Sequence, residues 1–117
     1  MAVRRIVVNT ATEDIDAAQR FYGEILGLDL LMDLTWIRTY GNDNTVRVQI
    51  SFATEGGSGT PVPDISIEVD DVDEIHRKMQ AAGFSVVYGI VDEPWGVRRF
   101  YVKDPFGKTV NILSHIL

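Results

Sequence analysis

Polar and apolar positions along the chain trace the same sequence of elements twice. Residues 4–10 alternate and predict a strand. Thr12-Glu13-Asp14-Ile15-Asp16 is a cluster of the residues that cap helices. Ile15, Ala18, Tyr22 and Leu26 then recur every three or four positions, which predicts a helix from Ala17 to Leu26. Gly27 ends it, because glycine tolerates the left-handed backbone that closes helices. Leu28 to Asp33 and Trp36 to Tyr40 predict two strands. Gly41-Asn42-Asp43-Asn44 is a turn signal, and Val46 to Phe52 alternates as a fourth strand.

Glu55 to Pro61 resembles a linker, loosened by Gly56, Gly57, Ser58 and Gly59 and stiffened by Pro61 and Pro63. The pattern then restarts. Asp64 to Val69 predicts a strand, and Asp70-Asp71-Val72-Asp73 repeats the capping chemistry. A helix with Val72, Ile75, Met79 and Ala82 on one stripe runs to Ala82, where Gly83 stops it. Phe84 to Ile90, Arg98 to Lys103 and Thr109 to Leu113 complete three more strands, with a tight turn at Asp104-Pro105-Phe106-Gly107. The two passes share a β-α-β-β-β order at a period of about 57 residues. They predict one α+β domain over 1–117. Modules 1–54 and 63–117 would be joined by the Gly/Ser/Pro linker.

Alternation sorts the strand faces. Ile65, Ile67 and Val69 oppose Asp64, Ser66 and Glu68. Val48, Ile50 and Phe52 oppose Arg47, Gln49 and Ser51. Val110 and Ile112 oppose Thr109, Asn111 and Leu113, and Arg99 and Tyr101 share a face. The apolar set should sit under the helices. The polar set should line a cleft between the modules, although polar sheet faces also commonly meet solvent.

Composition narrows the chemistry. A 45% hydrophobic and 24% charged chain is ordinary for a globule with a real core. No cysteine is present, so disulfides and thiolates play no part, and a reducing cytoplasmic setting is expected. The net charge of −6 shows no basic stripe for nucleic acid. No apolar run suits a membrane span, and no signal peptide is recognisable at the N-terminus. Neither a nucleophile motif nor a phosphate-cradling loop occurs.

Four stretches resemble the glyoxalase / bleomycin-resistance / extradiol-dioxygenase (vicinal oxygen chelate) superfamily. They are Asp14-Ile15-Asp16 through Phe21-Tyr22 with Ile25-Leu26-Gly27-Leu28, then Ile65 to Asp73, then Met79 to Phe84. The last runs from Pro94-Trp95-Gly96 through Phe100 to Lys108 and ends at Val110-Asn111-Ile112. The resemblance implies paired βαβββ modules, a curved mixed sheet around a cleft, and a homodimer. It also implies metal ligands on the first, fourth, fifth and eighth strands. Those slots fall here on Arg5, Gln49, Asp64 and Asn111. A guanidinium cannot ligate and repels cations, and one carboxylate with two amides suits a transition metal poorly. The expectation is therefore no metal, no cofactor and a small-molecule ligand.

The remaining candidates follow from position. Trp36 and Trp95 would cover a ligand or an interface, or pack in the core. Arg38, Arg47 and Arg99 suit a carboxylate or another planar anion. Arg5 either serves such a ligand or neutralises Asp64. If a reaction occurs, Asp64, Glu68 or His115 is the candidate base. The leading expectation is sequestration of a hydrophobic or aromatic molecule. The alternative is a glyoxalase-like lyase or isomerase, or a dioxygenase.

Overall fold

A computed structural model of the protein describes residues 8, 10–42 and 53–116. The strand expected at 4–10, apart from Val8 and Thr10, and the one at Val46 to Phe52 lie outside the described residues. Arg5, Arg47 and Gln49 lie outside them as well. The described elements begin with a 3-10 turn (Ile15–Ala17) and a π-wound helix (Gln19–Ile25), the N-terminal helix below. They continue with β1 (Asp29–Asp33), β2 (Arg38–Gly41), β3 (Ile65–Glu68), α1 (Val72–Ala81), β4 (Val86–Glu93), β5 (Val97–Lys103) and β6 (Thr109–His115).

The architecture is α+β. Strands β1 and β2 pair antiparallel, and β3-β6-β5-β4 form a mixed sheet of four strands. The order follows from the connections. Helix α1 carries the chain from one sheet edge to the other, and two antiparallel returns bring β6 back beside β3. After two reversals β6 runs the same way as β3, so that pair is parallel.

Register separates the two faces of this sheet. Ile65 lies opposite Val110, Ile67 opposite Ile112, and Phe100 opposite Ile112. That face carries the core: Phe100, Val102, Val110 and Ile112 are fully buried. Val72 and Met79 of α1 cover it, and so do Phe21 and Ile25 of the N-terminal helix. The N-terminal helix packs beside α1 in the same core cluster. Each such apolar side chain contributes about 1.5–3 kcal/mol by leaving water.

Two details differ from the periodicity. The N-terminal helix presents Ala18, Phe21 and Ile25 as its buried set, with Tyr22 and Leu26 at the flanks. Wider winding rotates the stripe away from a 3.6-residue period, and Phe21 meets Phe84 edge-on at 5.1 Å. Trp36 does not open a strand or join the core. It stands 76% exposed in the turn before β2, which starts only at Arg38. His76 of α1 is half-buried, edge-on to Phe100 at 4.9 Å.

Both helices close alike. Gly27 and Gly83 take positive φ of 70° and 82°. Leu28 N–H donates to Tyr22 O at 3.0 Å and Phe84 N–H to Met79 O at 3.1 Å. The expected turn at Asp104 is tied from two sides. Its Oδ1 accepts from the N–H groups of Phe106 (2.9 Å) and Lys108 (2.8 Å). Its Oδ2 accepts the Tyr22 hydroxyl at 2.8 Å, linking the N-terminal helix to the β5–β6 turn.

Burial, then the hydrogen bond and charge of Asp104 and the charge of Asp64, push the Tyr22 phenol well above its ordinary value of 10.0. The folded chain therefore holds this proton more tightly than the unfolded chain. Its stabilisation is complete below pH 10 and is lost as pH rises beyond it. Tyr22→Phe should lose about 1 kcal/mol at neutral pH in urea unfolding. Above pH 10 its stability should fall less steeply than that of the wild type. Parallel curves would remove Tyr22 from the alkaline transition.

Candidate functional site

The polar face of the four-stranded sheet carries the rows Tyr88–Tyr101–Asn111–Ser66 and Val91–Arg99–Leu113–Glu68. The expected face assignments of Ser66, Glu68, Arg99, Tyr101, Asn111 and Leu113 agree with this register. Its centre is a buried ion pair. Arg99 is 3% exposed, and its Nε and Nη2 donate to Glu93 Oε2 at 3.1 and 2.8 Å. Nη1 donates to Gly56 O at 2.7 Å and to the Tyr101 hydroxyl oxygen at 3.0 Å. Nη2 also reaches Gly57 O at 3.2 Å.

Glu93 is equally occupied. Its Oε2 accepts the Ser58 hydroxyl at 2.9 Å, and its Oε1 accepts that of Tyr88 at 3.2 Å. Aromatic rings surround the guanidinium, with Trp95 and Tyr101 centroids each at 5.0 Å and Tyr88 at 5.4 Å. Arg99 thus spends its donors inside the protein and offers a ligand no open fork. Its contribution to a site is the aromatic wall that it assembles.

The stretch expected to be a loose linker is a fastened strap. Gly56 N–H donates to Thr60 O at 2.8 Å, Thr60 N–H to Gly57 O at 3.0 Å, and the Thr60 and Tyr101 hydroxyls meet at 2.9 Å. Gly57 has φ +87°, and a Cβ there would lie 2.5 Å from the Trp95 ring. Only glycine lets the strap lie this close to Trp95. Trp95 itself sits in the three-residue β4–β5 turn, 50% exposed, with Gly96 at φ +91°.

Two cavities flank this cluster. One, of about 250 Å³, lies between strap and sheet, walled by Thr60, Pro61, Val87, Tyr88, Tyr101, Lys103 and Thr109. The other, of about 360 Å³, is polar and lies at the opposite end, beside Glu68, Asp70, Ser114 and His115. Exposed Glu68 and His115 pair there through Oε1 and Nδ1.

The other expected site residues are placed as follows. Asp64 Oδ2 accepts the Thr109 N–H at 2.8 Å, so it ties β3 to β6. Asn111 is 7% exposed, and its Nδ2 donates to Ser66 Oγ at 3.2 Å. Its Oδ1 has no partner among the described residues. Arg38 pairs with Asp16 at 2.6 Å and Asp33 at 3.3 Å. The Thr35 N–H and then Arg38 hold Asp33 below the usual carboxylate range. On the helix side Arg98 bridges Asp73 and Asp92 and lowers the Asp73 carboxyl.

Among the described residues no group of three or more His, Asp or Glu side chains can hold a metal ion. Asp64 is committed to a backbone N–H and Asn111 offers only an amide. The described donor set therefore does not fit the metal centre that the resemblance implies.

Sequence reasoning missed Tyr88, Glu93, Thr60 and Lys103. Simple alternation puts Tyr88 and Glu93 on opposite faces, yet both bond the same cluster. Irregular pairing of β4 on either side of Tyr88 brings them together, and Gly89 inside the strand was the available signal.

A family model for the Glyoxalase/Bleomycin resistance protein/Dioxygenase superfamily matches residues 6–112. No curated protein matches the chain. Solved structures share the fold at low identity. TnmS3, an antibiotic binding protein from Streptomyces sp. CB03234, is 23% identical with TM-score 0.70, covering 98% of each chain. TioX from Micromonospora sp. ML1 is 23% identical with TM-score 0.64, covering 97% of each. A lactoylglutathione lyase from Agrobacterium tumefaciens is 21% identical with TM-score 0.60, covering 87% of this chain and 86% of that one.

Truncating either partner of a buried ion pair leaves the other charge uncompensated. Arg99→Met should cost about 3–5 kcal/mol in chemical denaturation. Gly57→Ala, which forces both the φ and the Trp95 contact, should cost about 1–3 kcal/mol. A Gly57→Ala protein of wild-type stability would show that the strap is not held against Trp95.

Proposed function

The chain belongs to the Glyoxalase/Bleomycin resistance protein/Dioxygenase superfamily, and from that premise we propose that it is a metal-independent binder of a small hydrophobic or aromatic molecule. The observation that carries this is the wall of Tyr88, Trp95 and Tyr101 built around the Arg99–Glu93 pair. The pair holds three rings in place, and Trp95 keeps half its surface open for stacking. No bond is made or broken in this reading: the guest is trapped against preformed rings. That TnmS3 is described as antibiotic binding supports a sequestering role for this fold.

Modules 1–54 and 63–117, joined by the strap, form the single domain of this proposal. A homodimer belongs to it as well. Leu30, Leu31, Met32 and Leu34 around β1 are at least 40% exposed, a patch suited to a second copy. No helix among the described residues is long and apolar enough to cross a membrane. We place the protein in the cytoplasm on its lack of cysteine.

One feature favours a second reading, a glyoxalase-like enzyme. Glu68 orients His115 beside the larger polar cavity, an arrangement suited to a general base. The similarity to a lactoylglutathione lyase fold accords with it.

Titration with a panel of aromatic compounds should quench Trp95 fluorescence saturably, unchanged by EDTA. Trp36→Phe should keep the quench. Trp95→Leu should abolish it and weaken affinity about tenfold in calorimetry. Binding that appears only with added Zn²⁺, Ni²⁺, Mn²⁺ or Fe²⁺, or turnover lost in His115→Ala, would favour the enzyme. Sedimentation should report a dimer at micromolar concentration.

A further inference from the structure

We propose that the cavity between strap and sheet is a subsite for a small aromatic carboxylate, with Lys103 as its counter-ion. The inference deepens the binding reading above and rests on it. Arg99, one of the cations suited to an anion from the sequence, has its donors filled by Glu93, Gly56, Gly57 and Tyr101. Lys103 is different. It is half-buried, and its Nζ donates to Thr109 Oγ1 at 2.7 Å and, at a longer 3.4 Å, to Gly107 O. An ammonium has three donors, so one position stays open.

Charge sharpens the contrast. Arg20, Arg38, Lys78, Arg98 and Arg99 each pair with a carboxylate, whereas Lys103, like Arg77 and Lys108, pairs with none among the described residues, and of these three Lys103 is the one partly buried. Its cavity wall contains no acidic side chain. A partly desolvated cation facing such a wall favours an incoming anion. Pro61, Val87 and the ring of Tyr88 supply apolar surface for the rest of the guest, with buried Tyr101 behind them. At about 250 Å³ the cavity suits one or two fused rings rather than a large drug. The Thr60 and Tyr101 hydroxyls close the strap side, already bonded to each other, to Arg99 and to the strap backbone.

Calorimetry with 2-naphthoate and its neutral isostere 2-naphthamide tests this. The wild-type protein should bind the acid at least about tenfold more tightly than the amide, the worth of one charge-assisted contact. Lys103→Met should bring the two within about twofold. Lys103→Arg, which keeps the charge, and Lys108→Met, which removes a nearby exposed one, should retain the preference. Thermal melts of all three variants establish that they are folded. Equal binding of acid and amide by the wild type, or an unchanged preference in Lys103→Met, overturns the proposal. If neither probe binds while other aromatics quench Trp95, the subsite fails alone. If no compound binds at all, the parent reading fails with it.

Discussion

A buried guanidinium tolerates few surroundings, and Arg99 imposes that constraint on this structure. Removed from water, it requires a carboxylate and an acceptor for each remaining N–H. Glu93 answers from the neighbouring strand, Tyr101 from its own, and Gly56 and Gly57 from a segment more than forty residues earlier. Satisfying one cation thereby fixes the β4–β5 hairpin end, the path of the strap and the positions of three rings. The pair itself is not a source of much net stability, because desolvation offsets most of its attraction. Its effect is positional.

The two faces of the sheet divide the labour. The helix side is apolar at its centre, in a cluster that includes Phe21, Ile25, Val72 and Met79. The polar side holds groups whose hydrogen-bonding capacity is mostly, but not wholly, used. Arg99, Glu93 and Asp64 are committed to the fold. Asn111 Oδ1 has no partner among the described residues, and Lys103 has no carboxylate there. Chemistry directed at a guest belongs to such incompletely used groups, since a satisfied one must first break a contact.

This distinction changes the weight of the sequence candidates. Arg38 is occupied with Asp16 and Asp33 and Trp36 lies in an exposed turn. Trp95 and Tyr101, by contrast, both lie against the Arg99 guanidinium. Glu68 and His115 meet at the far end, a pairing that strand parity permitted but could not place.

Local rules determined much of this protein. Period, capping residues and the paired glycines at 27 and 83 predicted the second-half elements within a few residues, the faces of β3, β5 and β6, and the family. Those features depend on neighbours in the chain, where backbone preference and alternation act directly. Tertiary structure alone decided that the two helices share one core cluster, that β4 pairs irregularly to align Tyr88 with Glu93, and that the glycine-rich strap is fastened. Each of these is a long-range choice. It follows from which distant group completes a buried shell or hydrogen bond, and no window of adjacent residues contains that information.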